Sequence, residues 1–299
     1  MKHVYNSILF VILFTANLQA QTSLEYRFSA GDMYELQLNS NQDMIQSFSG
    51  MEQTIKNNQE SVLSVNVLSV ENGEAVLELR HLRMNVFVDV GMMQLEFDTE
   101  KEVANPFNSL LKGMVDEPFT VTISSKGKVK SVEGVEKVLA NAEKKATDIP
   151  ADQMAQIRPM LSQQFSNQAM LANLQNSFLV YPDNDLTAGS SWSSDLYMGD
   201  DMGATMAYDW TLESASADNW QISGLGVIFS ENSKTADIKD LEGTSELLAT
   251  VNPESGLPSE VTVDVTLSGY TEVDQGAGPI KVDMDIKSVQ TSGFKKVDN

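Results

Sequence analysis

The chain contains no cysteine. That excludes disulfides, thiolate metal sites and cysteine nucleophiles. Histidine is almost missing as well: His3 and His81 are the whole supply. A zinc centre built from several His or Cys ligands therefore cannot be assembled. A Ser-His-Asp triad would have to use His81. That residue sits mid-strand beside Arg80 and Arg83, and it reads as an ordinary polar residue at a change of strand phase. Positive charge is scarce too, with 20 Lys and Arg against 42 Asp and Glu, a formal net charge of -22. Such a field repels phosphate backbones and anionic lipid surfaces. Nucleic acid is excluded as a partner, and the acidity is read as keeping an exported protein soluble. There is no lysine-bearing phosphate loop and no G-x-G-x-x-G after a strand. No cofactor is expected.

Long apolar runs are lacking. Ile8 to Phe14 is unbroken but too short to span a bilayer. It follows a basic Met1-Lys2-His3 start and precedes Leu18-Gln19-Ala20, the pattern of a secretory signal peptide over 1–20. No cysteine follows it, so lipid attachment there is excluded. The expectation is an exported chain, periplasmic or extracellular, with no transmembrane segment after cleavage. About 279 of the 299 residues then remain, read as one β-rich domain over 21–299 that folds by burial and sheet pairing alone.

Carboxylates are abundant, but no acid pair stands on a strand end among aromatic platforms, as glycoside hydrolysis would want. Asp183-Asn184-Asp185 and Asp195 with Asp200-Asp201 are oxygen-rich. Neither matches a twelve-residue calcium loop, so both read as turns and no metal site is expected. The chain is not read as an enzyme.

What is present is one helical stretch between two β regions. From about 102 to 178, apolar residues recur at helical spacing: Phe107, Leu111 and Met114; Val135, Val138 and Leu139; Met154, Ile157, Leu161 and Phe165. Each set marks a face that must be covered. Strands are expected within this stretch at Pro118–Ser124 and Val129–Val132. Pro150 reads as a first-turn proline, and Pro159 should kink or restart its helix. Before the insert, Leu24–Phe28 reads as a short strand. Met33–Phe48 alternates apolar with polar, a strand of about 50 Å at ~3.3 Å per residue, which must twist and curl. Asn72-Gly73 marks a hairpin. The phase of Ala75–Val88 switches at Arg80-His81, where a bulge would keep Leu77, Leu79, Leu82 and Met84 on one face. After the insert, strands are expected at Trp192–Met198, Thr205–Ser214, Trp220–Ser230, Ser245–Val251, Ser259–Tyr270 and Ile280–Val289, with a frayed tail after Gly293.

The fold class expected is α+β: a strongly curved antiparallel β-sheet wrapped around a central helical insert. Phe28-Ser29-Ala30-Gly31 and Leu186-Thr187-Ala188-Gly189 each lead into an aromatic that opens a strand. This is either an old duplication or coincidence.

The signal segment, the Tyr26-Arg27-Phe28-x-x-Gly31-Asp32-x-Tyr34 opening, the Glu71-Asn72-Gly73 hairpin and the Gly127-Lys128-Val129 to Gly134 segment resemble an exported bacterial family catalogued only as a domain of unknown function. The resemblance covers most of the chain and brings no catalytic residues. In element order the chain more distantly resembles the envelope lipoprotein-carrier superfamily. That likeness implies a curved sheet around a few helices with a greasy cavity between them.

The functional expectation is a non-enzymatic binding protein for a lipid or other apolar ligand. Phe107, Leu111, Met114, Met154, Ile157, Leu161 and Phe165 are the candidate lining. Methionines in this region suit an irregular apolar cavity, or equally a plain core. The alternative is a structural or interaction module that meets another envelope protein.

Overall fold

The computed structural model describes residues 21–297 except 92, 104, 106, 176, 198–202, 231–237 and 275–277; the side chains of 157, 160, 163, 164, 172, 197 and 274 are also not described. The expected signal segment thus lies outside the described residues, as do Met198, Asp200 and Asp201. The strands are β1 (Met33–Phe48), β2 (Met51–Glu71), β3 (Glu74–Asp89), β4 (Gln94–Asp98), β5 (Phe119–Ser124), β6 (Val129–Glu133), β7 (Ser191–Tyr197), β8 (Ala204–Ala215), β9 (Trp220–Ser230), β10 (Lys239–Val251), β11 (Pro258–Asp274) and β12 (Pro279–Lys296). The helices are α1 (Asn108–Met114), α2 (Val135–Lys145), α3 (Ala151–Gln164) and α4 (Asn167–Gln175). The protein is mainly β rather than α+β, because its helices are short and the sheet carries the chain.

All twelve strands belong to one antiparallel sheet, ordered β6-β5-β3-β2-β1-β12-β11-β10-β9-β8-β7, with β4 on the far part of β3. The chain meanders outward from β1 to β6, crosses through α2, α3 and α4, and meanders back from β7 to β12, which pairs with β1. No ladder joins β6 to β7 among the described residues, so the sheet is not closed.

Its curvature follows from two hydrogen bonds. Tyr26 N–H donates to Ser125 O, in the β5–β6 turn, and Arg27 N–H donates to Ser255 O, in the β10–β11 turn, both at 2.7 Å. β5 and β10 are six strand spacings apart along the sheet, roughly 29 Å if it were flat. Adjacent residues lie about 3.8 Å apart. The sheet must therefore bend until the two turns nearly touch. Leu24–Phe28 is the segment between them. It forms no strand, because its donors go to hairpin turns.

Glycine makes this approach possible. A Cβ on Gly127 would stand 2.0 Å from the Leu179 carbonyl oxygen, and one on Gly256 would stand 1.8 Å from that of Glu25. Both also have positive φ, 85° and 69°.

The echo at the two strand openings recurs in the hydrogen bonding. Gly31 N–H donates to Val67 O, Val67 N–H to Asp32 O and Asp32 N–H to Ser29 O. Gly189 N–H donates to Leu212 O, Leu212 N–H to Ser190 O and Ser190 N–H to Thr187 O. Each set is followed by a register shift, at Val67/Ser69 and at Leu212/Ser214.

The inner face of the sheet is buried where helices cover it. Leu36, Leu63, Leu77 and Ile123 share one core with Val138 and Ala142 of α2 and Leu174 of α4. Each such large side chain contributes about 1.5–3 kcal/mol when fully buried. α1 and α2 meet at Gly113, where a Cβ would lie 2.9 Å from Ala142 Cα. Gln175 ties the end of α4 to the β5–β6 hairpin: its Oε1 accepts Val129 N–H at 2.8 Å, and its Nε2 donates to Gly127 O at 3.0 Å.

Four local expectations change. Pro159 lies inside α3, and the break comes later, at Phe165–Ser166. Pro150 is the residue before the first helical turn. The bulge falls one step beyond Arg80-His81: Leu63 pairs with His81 and Val62 with Arg83, which leaves Leu82 unpaired and 37% exposed. The tail does not fray at Gly293, since β12 runs to Lys296 and buries Phe294 opposite Leu36.

Candidate ligand cavity

Between the sheet and the helices lies a cavity of about 590 Å³. That is within the usual range for small-molecule sites, about 300–1,000 Å³. Its floor is set by register. Leu38 of β1 pairs with Ser61 of β2 on one side and Ser292 of β12 on the other, and Ser40 pairs with Gln59 and Gln290. Residues two apart on a strand share a face, so these six side chains form one patch that is mostly neutral and polar.

The walls are apolar. β3 contributes Met84 and Val86, β4 contributes Leu95 and Phe97, and α1 contributes Leu110 with Leu111, preceded by Phe107. Leu161 and Phe165 come from the end of α3, and Met170 from α4. Exposed Asn173 also lines the cavity, and Glu60 borders the floor between Gln59 and Ser61.

The β4–α1 wall is held by polar bonds. Buried Asn108 accepts Asp98 N–H at 2.8 Å and donates to Asp98 O at 2.9 Å. Lys101 Nζ lies 2.8 Å from the Asp98 carboxylate and holds it below the usual carboxylate range. Asn105 Oδ1 accepts Phe107 N–H at 3.0 Å, fixing the chain as it enters α1.

His81 also lines the cavity. The bulge at Leu82 keeps it on the inner face while the chain beyond changes phase. Its Nδ1 lies 3.2 Å from Ser61 Oγ. Burial lowers its pKa to about 4, so the ring is neutral at physiological pH. Among the described residues no carboxylate hydrogen-bonds to it. Of the described residues that line the cavity, Glu60 is the one that carries a charge, and none is Lys or Arg. Arg80 is turned to Glu78 and the Asp116 carbonyl, and Arg83 to Glu100.

Four expected lining residues, Phe107, Leu111, Leu161 and Phe165, come together here. Met114 and Met154 do not line the cavity; both are buried in the core. The side chain of Ile157 lies outside the described residues. Sequence reasoning missed His81 as a lining residue, along with the whole β-side floor. The phase switch in β3 was the one signal for His81. A smaller cleft of about 270 Å³ lies by Arg27, Asp32 and Lys296, where Lys296 at 2.8 Å holds the Asp32 carboxyl below its ordinary range. Among the described residues, no three His, Asp or Glu side chains form a metal-holding group, and no helix is long and apolar enough to cross a membrane.

Among solved structures, the fold is similar to part of lipovitellin, a structure reported for its lipid–protein interactions. The match has 10% identity and a TM-score of 0.50, and covers 91% of this chain and 26% of that one. This chain thus spans about a quarter of lipovitellin. An outer membrane channel from Pseudomonas putida F1 matches over 90% of this chain and 97% of its own, at 8% identity and a TM-score of 0.29. The outer membrane protein OprG from Pseudomonas aeruginosa matches over the same shares at 7% identity and a TM-score of 0.22. The last two likenesses are too loose to bear on the fold. No curated protein matches the sequence. A family model does match, over residues 72–258, and the chain belongs to that family of unknown function, DUF6263.

Proposed function

We propose that this protein is an exported, non-enzymatic binding protein that holds a lipid or other apolar ligand between its curved sheet and its helices. The observation that carries this reading is the cavity of about 590 Å³. Aromatic and aliphatic side chains wall it, and a few polar groups line its floor. Wall contacts would supply most of the affinity through apolar area removed from water. The floor would orient the ligand. Lipovitellin, the similar fold, is described by its lipid–protein interactions, which is compatible with such a role here.

Binding rather than catalysis is favoured by His81. A ring whose pKa is lowered to about 4 is a weak general base at neutral pH. Native mass spectrometry after mild purification tests the reading. The expected spectrum carries excess mass that organic extraction releases as lipid. A protein that arrives empty and takes up no fluorescent apolar probe refutes it.

A second reading is an interaction module of the cell envelope. It is favoured by an apolar stripe on the outer face of β9 and β10, where Leu225, Val227, Phe229 and Leu248 are 45–66% exposed. Crosslinking in the native envelope, with and without Leu225→Lys, tests that reading. A neighbour lost with the substitution supports it.

A further inference from the structure

We propose that the cavity selects lipids whose head is uncharged and hydroxyl-bearing, of the monoacylglycerol type, over free fatty acids and anionic phospholipids. This inference rests on the binding role proposed above and adds the chemistry of the head group.

An anionic head needs a cation or several aligned donors once it leaves water. An unpaired buried charge costs far more than a polar group that finds a hydrogen bond. Among the described residues no Lys or Arg lines the cavity, and the nearest candidates on β3 are engaged elsewhere: Arg80 with Glu78 and the Asp116 carbonyl, Arg83 with Glu100. Glu60, the one charged residue bordering the floor, adds no cation either. The protein's net charge of -22 acts in the same direction.

The floor provides what a neutral head uses. Ser61, Ser292 and Gln290 offer donors and acceptors in register across three strands. Ser61 is already bonded to Nδ1 of His81, and no hydrogen bond to Nε2 of that ring occurs among the described residues. Of the two ring nitrogens, one donates and the other accepts in the neutral form. With no described residue bonded to Nε2, a hydroxyl, which can play either role, suits this ring as a partner. The apolar side of the cavity, with Phe107 and Phe165, takes the single hydrocarbon chain.

The test is displacement of a bound naphthylamine dye from the purified chain at pH 8, with each lipid below its micellar concentration. Monooleoylglycerol is expected to compete at least tenfold better than oleate or oleoyl-lysophosphatidylglycerol. His81→Leu should weaken monooleoylglycerol about fivefold relative to oleate. Gln290→Lys, a change at an exposed position, should improve oleate about tenfold.

Equal competition by oleate, or no gain for oleate in Gln290→Lys, overturns the head-group selectivity and leaves apolar binding standing. If neither the dye nor any lipid binds, the binding role falls, and this inference with it.

Discussion

The phenol of Tyr26 and the backbone of Leu179 clasp each other across 153 positions of sequence: Leu179 N–H donates to Tyr26 Oη at 2.9 Å, and that hydroxyl donates back to Leu179 O at 3.2 Å. Tyr26 is buried between Phe28 and Tyr181, with ring centroids 5.9 and 4.9 Å away. The clasp joins the segment before β1 to the segment before β7. Burial pushes the phenol well above its ordinary pKa, so it stays protonated and keeps its donor. Tyr26→Phe would leave a buried N–H and a buried C=O unpaired. Such groups cost about 1–3 kcal/mol each when orphaned, so a loss of about 2–6 kcal/mol is expected in urea unfolding. A variant as stable as the parent would show that the clasp contributes nothing.

The glycines separate close approach from backbone conformation. Gly31 and Gly189 have φ of 90° and 85° and open space within 4 Å of where a Cβ would stand, whereas a Cβ on Gly127 or Gly256 meets a carbonyl oxygen at 2.0 or 1.8 Å. Gly31→Ala and Gly189→Ala should each cost about 1–2 kcal/mol from backbone strain alone. Gly127→Ala and Gly256→Ala must also push a chain segment aside, and should cost at least twice as much, about 4 kcal/mol or more. Thermal unfolding of the four variants reads the difference.

His81 makes stability depend on pH in a defined direction. Its pKa falls from 6.5 in the unfolded chain to about 4 in the folded one. Between those values the unfolded chain takes up a proton that the folded chain refuses. Stability therefore falls as pH drops from about 6.5 to about 4, by up to about 3 kcal/mol. His81→Gln should flatten that window. The carboxyls of Asp32, Asp98 and Glu117 are held low by Lys296, Lys101 and Lys145 respectively. Their contribution is present above the ordinary carboxylate range and lost only as pH falls further, so it should survive in the variant. Denaturant titrations at half-unit pH steps check both statements.

Filling the cavity should separate binding from folding. Val86 lines it from β3, and phenylalanine suits a strand. Val86→Phe should reduce dye or lipid binding at least tenfold while shifting stability by less than about 1.5 kcal/mol, since the added ring enters empty space. Met114→Ala is the opposite case. Met114 is 2% exposed in the core away from the cavity, so its loss should cost about 2–5 kcal/mol with binding per folded molecule unchanged. Calorimetry and dye titration on the two proteins together decide it.

Much of the sheet can be read from the chain because period-two alternation survives in β1, β2, β11 and β12 whatever they pack against. The Asn72-Gly73 hairpin is legible for a local reason: its two positive φ angles, 52° and 78°, suit those residue types. The cavity is half legible. Helical spacing points to Phe107, Leu111, Leu161 and Phe165, but does not separate them from Met114 and Met154. One stripe of a helix can face a void at one turn and a packed neighbour at the next. Leu24–Phe28 reads as a strand and is none, because extended sequence does not say whether its donors meet a strand or two turns.

Alternation along the strands, the positions of the tight turns, and the lack of thiol, zinc and phosphate-loop chemistry all follow from composition and near neighbours, so the bare chain carries them. The bending of the sheet until turns six strands apart nearly meet is a different kind of property. So are the pairing of β12 with β1 and the gathering of Ser61, His81 and Ser292 around one space. Those relations join residues far apart in the chain, and they exist only once burial of the inner face has drawn the strands into a single curved sheet.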